Sequence, residues 1–133
     1  MNEPAELTKF AQRYAKAWCS RDPRKVAAFF AENGSISINN GPSAIGRAAI
    51  AKEAEAFMTT FPDMVVTFDK LEPREGATAF HWTLIGTNTG PGGTGNKVRI
   101  SGNELWKLDP DGLIAESKGH FDSADYERQL KGE

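Results

Sequence analysis

The sequence predicts an α+β domain with its helices first and its sheet afterwards. Three observations predict it. Apolar residues recur with helical spacing along the chain up to Pro62, polar and apolar residues alternate in four runs beyond it, and clusters of Gly, Pro, Asn and Asp separate those runs. At 133 residues the chain holds one core, and 1–133 is read as a single domain.

Leu7, Phe10, Ala11, Tyr14, Ala17 and Trp18 share one helical face, which predicts a helix over 4–20. Asp22-Pro23 then supplies a cap and a first-turn proline for a short second helix, with Val26, Phe29 and Phe30 as its apolar stripe and Asn33-Gly34 as its end. Ile36 and Ile38 alternate with polar residues in a short strand over 35–39. From Gly46 a third helix places Ile50, Ala54, Phe57, Met58 and Phe61 together, and Pro62 stops it. The four runs that follow, 64–72, 77–87, 97–108 and 113–121, read as a meander of antiparallel strands. The glycine-rich 90–96 stretch is a hairpin tip with mobility as its expected property, because no helix follows it to make a phosphate loop. A last helical segment covers 123–130.

Composition narrows the function. Sixteen Lys and Arg against 18 Asp and Glu give a net charge of -2, so no overall field draws nucleic acid or anionic membrane. Cys19 stands alone and two histidines are present, which argues against a disulfide, a structural metal or a protein-built transition-metal centre. No apolar run reaches the roughly 18 residues of a membrane span, and Met1-Asn2-Glu3-Pro4 has no leader-like character. A cytoplasmic protein without cofactor or metal is expected.

The order of elements resembles the nuclear-transport-factor-two-like cone along nearly the whole chain. Gln12-Arg13-Tyr14, Ala28-Phe29-Phe30-Ala31-Glu32, Gly46-Arg47-Ala48-Ala49-Ile50 and Phe80-His81-Trp82-Thr83 are similar to ketosteroid isomerase segments. Phe61-Pro62-Asp63-Met64, Gly86-Thr87-Asn88-Thr89-Gly90, Thr94-Gly95-Asn96-Lys97 and the stretch from Asp122 to Leu130 are more similar to SnoaL-like polyketide cyclases, although Asn88 stands where those proteins usually carry histidine. The resemblance implies three helices on a strongly curved, mostly antiparallel sheet enclosing an apolar pocket. It implies cofactor-free acid/base chemistry on a small apolar or aromatic carbonyl compound, or, in the same fold, a non-catalytic module that binds a hydrophobic metabolite. A purely structural dimerisation domain is a third reading.

Alternation sorts the strands into faces, and the resemblance says which face meets the cone. Phe80, Trp82, Leu84 and Gly86, then Ser101, Asn103, Leu105 and Lys107, then Ala115, Ser117, Gly119 and Phe121 are assigned inward. With Trp18, Phe30, Phe57 and Phe61 from the helices, Phe80, Trp82, Leu84, Leu105, Ser117 and Phe121 are the expected ligand contacts, unless the aromatics simply fill a core. By resemblance to the isomerases Tyr14 and Asn103 are oxyanion donors, or else a pair within a closed core; Ile38 stands where those enzymes have their base. By resemblance to the cyclases Asp122 is the acid/base residue, while its place before Ser123 reads first as the cap of the last helix. His120 is retained as a catalytic candidate near it. A homodimer is expected through His81, Thr83, Ile85, Glu104 and Trp106 on the other sheet face, with Trp106 as anchor.

Overall fold

A computed structural model describes residues 4–132; the reading of residues 1–3 as leaderless lies outside it. Its elements are α1 (Pro4–Cys19), α2 (Pro23–Ala27), β1 (Phe30–Ile38), β2 (Ala44–Ile45), α3 (Arg47–Thr60), β3 (Val65–Arg74), β4 (Ala77–Thr87), β5 (Lys97–Leu108), β6 (Ile114–Phe121) and α4 (Ser123–Leu130). The six strands form one open, curved sheet in the order β2-β1-β6-β5-β4-β3. β1 runs parallel to β6 and every other neighbouring pair is antiparallel.

The apolar face of α1 forms as its spacing predicts. Phe10, Ala11, Tyr14, Ala15, Ala17 and Trp18 are all buried. At the end of α1, Cys19 donates to the Val66 carbonyl at 3.3 Å and accepts from the Val66 N–H at 3.2 Å, pinning the helix to β3. Extra residues in β1, β3 and β6 shift the register against their neighbours and bend the strands, the usual effect of unpaired residues on twist.

Two boundaries differ from the sequence reading. Asn33-Gly34 does not end the second helix, which stops at Ala27 after five residues. Phe30 already pairs with Ile114, and the residues before Ser35 are looped out as an irregularity inside β1. Gly34 makes this possible, because a Cβ there would lie 2.8 Å from the Ile114 carbonyl oxygen. The two-residue β2 was not foreseen; it is an edge strand too short to show a period.

The face assignment of β5 is also corrected. Phe80 is paired with Glu104, Trp82 with Gly102 and Leu84 with Ile100, so Ile100, Gly102, Glu104 and Trp106 share the inner face and Ser101, Asn103, Leu105 and Lys107 point away. Trp106 is 1% exposed and stacks on Phe80 at 4.8 Å, so it cannot anchor a dimer. The outer face carries Val65 and Ile85, both exposed, beside polar pairs such as His81 Nε2 and Glu72 Oε1 at 2.9 Å.

The glycine-rich hairpin is tied to α3 and α4 at its two ends. Gly90 lies against the backbone of Thr59 and Thr60 with its N–H on the Thr60 carbonyl, and Asn96 Nδ2 donates to the Leu130 carbonyl at 2.9 Å.

Candidate active site

Inside the cone, β4, β5 and β6 bring their inner-face residues opposite α1. Trp18, Ile36, Ile38, Phe57, Val66, Phe80, Trp82, Leu84, Ile100, Gly119 and Phe121 line an apolar cavity, and Glu104 is its one ionisable side chain. The space open to the centre of a water molecule is ≈ 50 Å³, and the empty envelope is ≈ 550 Å³ when solvent at the mouth is counted. A single water needs about 10–15 Å³ by the first measure, so the interior has room for several.

A carboxyl among these groups would be costly unless hydrogen-bonded. Glu104 Oε1 accepts from Ser117 Oγ at 2.7 Å, Tyr14 Oη at 2.9 Å and Trp106 Nε1 at 3.0 Å. Three donors converge on one oxygen. Oε2 has no partner among the described residues, yet it is not among the side-chain atoms sealed away without one. Glu104 lines the cavity, and Oε2 is the carboxyl oxygen that no described residue holds.

Burial pushes the Glu104 carboxyl above its ordinary value, while the donors Trp106, Ser117 and Tyr14 pull it down. Burial, and then the charge of Glu104, holds the Tyr14 hydroxyl well above its ordinary value; the Trp18 indole N–H opposes this, although it closes no hydrogen bond of its own. Tyr14 therefore remains a donor throughout the range in which Glu104 titrates. Trp82 Nε1 is a second buried indole N–H without a partner, again on a residue of the cavity wall.

Of the residues named from sequence, Trp18, Phe57, Phe80, Trp82, Leu84 and Phe121 line the cavity. Phe30 and Phe61 are fully buried but lie behind the wall, Phe30 beside Tyr14 and Phe61 against Gly86. Ser117 and Tyr14 reach it only through Glu104. Asn103 and Leu105 face outward with the corrected register, where Asn103 pairs with His120 across β5 and β6. That pairing places His120 on the outer face too. Asp122 is exposed and accepts from the Asp125 N–H at 3.0 Å as the N-cap of α4, so the structure places it outside the cavity wall. Asn88, where the resemblance suggests a histidine, holds the hairpin, accepting from the Gly95 N–H at its carbonyl.

The sequence reading places Glu104 on the expected dimer face, because the resemblance assigns the opposite face of β5 to the cone. The signal was present: Val98, Ile100, Trp106 and Leu108 share its parity.

Among the described residues, no group of three or more His, Cys, Asp or Glu is gathered as for a metal ion, and no helix is long and apolar enough to cross a membrane.

A curved mixed sheet closed by helices over an apolar interior defines a protein of the nuclear-transport-factor-two-like class. The chain matches the SnoaL-like polyketide cyclase model over residues 8–130 and belongs to that family. Among solved structures, a candidate SnoaL-like polyketide cyclase from Jannaschia sp. CCS1 superposes with a TM-score of 0.83 at 16% identity, covering 100% of this chain and 98% of that one. A hypothetical protein of ketosteroid isomerase-like fold from Catenulispora acidiphila, in complex with trimethylamine, gives 0.80 at 15% identity over 92% of each chain. The epoxide hydrolase/cyclase-like enzyme SalBIII, described in pyran ring formation in the polyether salinomycin, gives 0.79 at 18% identity, covering 94% of this chain and 97% of that one. These identities speak to the fold alone. No curated protein matches the chain.

Proposed function

We propose that this protein is a cofactor-free acid/base enzyme acting on a small apolar or aromatic carbonyl compound, with Glu104 as the group that moves the proton. One observation carries the reading: Glu104 has one oxygen saturated by three donors and the other free at an apolar cavity. A carboxylate raised above its ordinary value by burial is a better base near neutral pH than a solvated one. In the proposed step Oε2 takes a proton from the carbon beside the carbonyl, the electron pair of that C–H bond becomes the carbon–carbon double bond of the enolate, and the carbonyl π pair moves onto its oxygen. As the carbonyl re-forms, either the far carbon of a conjugated enolate takes the proton back from Glu104, or the enolate carbon bonds to a second carbonyl carbon of the substrate, whose π pair moves onto its own oxygen and takes the proton from Glu104. Tyr14 holds and tunes Glu104.

The test is exchange of the α-protons of 2-tetralone in D₂O, followed by proton NMR, with the wild type and Glu104→Gln. Exchange above the buffer rate, lost in the variant while the ketone still raises its melting temperature, supports the proposal. A variant as fast as wild type removes Glu104 from the mechanism.

The small interior favours a second reading, a module that binds a small hydrophobic metabolite without changing it. That reading predicts a ketone-induced rise in melting temperature and no exchange in either protein.

A further inference from the structure

On the solvent side of α1, Lys9, Arg13 and Lys16 recur at i, i+4 and i+7, so they form one stripe. Lys25 from α2 borders the same shallow groove as Arg13 and Lys16, a space of ≈ 430 Å³ with Ala17 and Phe29 among its lining. All four cations are exposed, and among the described residues none makes an ion pair. The charge is also segregated in sequence. Residues 1–28 hold six Lys and Arg against three Asp and Glu, and the rest of the chain holds ten against 15.

Like charges three and four residues apart on a helix repel, so a surface that needed only solvation would gain by mixing signs. The stripe from Lys9 to Lys16 extends roughly 10 Å at the helical rise. That length exceeds a single carboxylate or phosphate and matches two turns of another helix. Phe29 is half-buried and held edge-on by Phe10 at 5.1 Å and Tyr14 at 5.5 Å, which leaves it as a fixed apolar floor and not as a face for stacking bases. The exposed large apolar residues are Ile45, Val65 and Ile85, none of them on this surface, so nothing here is shaped to enter a bilayer.

We propose that this face docks an acidic amphipathic helix of a partner protein, its carboxylates meeting Lys9, Arg13, Lys16 and Lys25 and one apolar side chain resting on Phe29. The site is separate from the cavity, and it stands or falls independently of Glu104.

The probe is a fluorescently labelled synthetic helix with a glutamate stripe beside a leucine stripe, titrated with the full chain by anisotropy. Arg13→Glu with Lys16→Glu should weaken binding about tenfold, because complementary charge is replaced by repulsion. Lys107→Glu with Lys118→Glu, on the sheet, should leave binding unchanged, and Arg13→Glu with Lys16→Glu should melt like the wild type because those positions are exposed and, among the described residues, make no ion pair. Amide shifts on peptide addition should gather on α1 and α2. Equal weakening by both double variants, equal binding of a serine-for-leucine peptide, or binding of anionic phospholipid vesicles or pyrophosphate but not of the peptide would overturn the proposal.

Discussion

Tyr14 Oη stands 2.9 Å from Glu104 Oε1 although 90 residues separate them in the chain. The bond joins the middle of α1 to the middle of β5, and it ties the helical layer to the one carboxyl at the cavity wall. Both groups are buried, so each satisfies the other in surroundings where an unmatched partner would be costly.

Removing the carboxyl without removing its shape should be tolerated. Glu104→Gln keeps an oxygen for Tyr14, Trp106 and Ser117, whereas Glu104→Ala leaves three buried donors unpaired and opens a void. The alanine variant should lose about 3 kcal/mol or more, at one to three per orphaned group, and the glutamine variant should stay close to wild type. Denaturant melts of both, at pH 5, read the difference.

The contribution of Glu104 to stability should fall as pH rises. The folded carboxyl sits above its unfolded value because burial disfavours the charged form. The contribution is therefore fully present below the unfolded value and is lost as pH climbs through the folded one. Glu104→Gln should abolish this component, so the two melting curves should diverge in favour of the variant above the unfolded carboxylate range. Parallel curves from acid to neutral pH would contradict it.

Tyr14→Phe should move the activity profile upward in pH. The hydroxyl is one of three donors that favour the ionised carboxylate, and its loss raises the carboxyl further. The rising limb of rate against pH should shift to higher pH with a stability loss of about 1 kcal/mol, the usual worth of a hydrogen bond. A profile that falls in height without moving would mean Tyr14 acts on the substrate instead.

Gly102→Ala should damage the cavity without touching its chemistry. A Cβ there would fall 2.7 Å from Trp82 Cζ2 and 3.1 Å from Phe121 Cβ, besides clashing with the His120 carbonyl oxygen. Both rings must shift, at about 1–3 kcal/mol for overpacking, and ketone binding should weaken with them. Thermal melts with and without 2-tetralone measure both effects.

Asp122 should behave as a cap. Asp122→Asn should be nearly neutral in stability and activity because asparagine accepts the Asp125 N–H as well, while Asp122→Ala should cost about 1 kcal/mol. Loss of turnover in a stable Asp122→Asn protein would return it to the mechanism.

Periodicity determined α1, α3, the four strands after Pro62 and the sorting of β4 into two faces, because a buried stripe at 3.6 or two residues is a local property of the chain. It also marked Tyr14 as a hydroxyl on an apolar face that required a partner. The identity of that partner was decided by tertiary structure, since pairing across 90 residues leaves no local trace. The same holds for the inner face of β5. A lone glutamate among apolar residues is ordinarily a reason to turn a strand outward, and only the convergence of Tyr14, Trp106 and Ser117 makes it stable inside. Asp122 shows the converse. Its sequence fitted a cap, the resemblance implied an acid/base residue, and the turn of the chain into α4 committed its carboxylate to a backbone N–H outside the cavity wall.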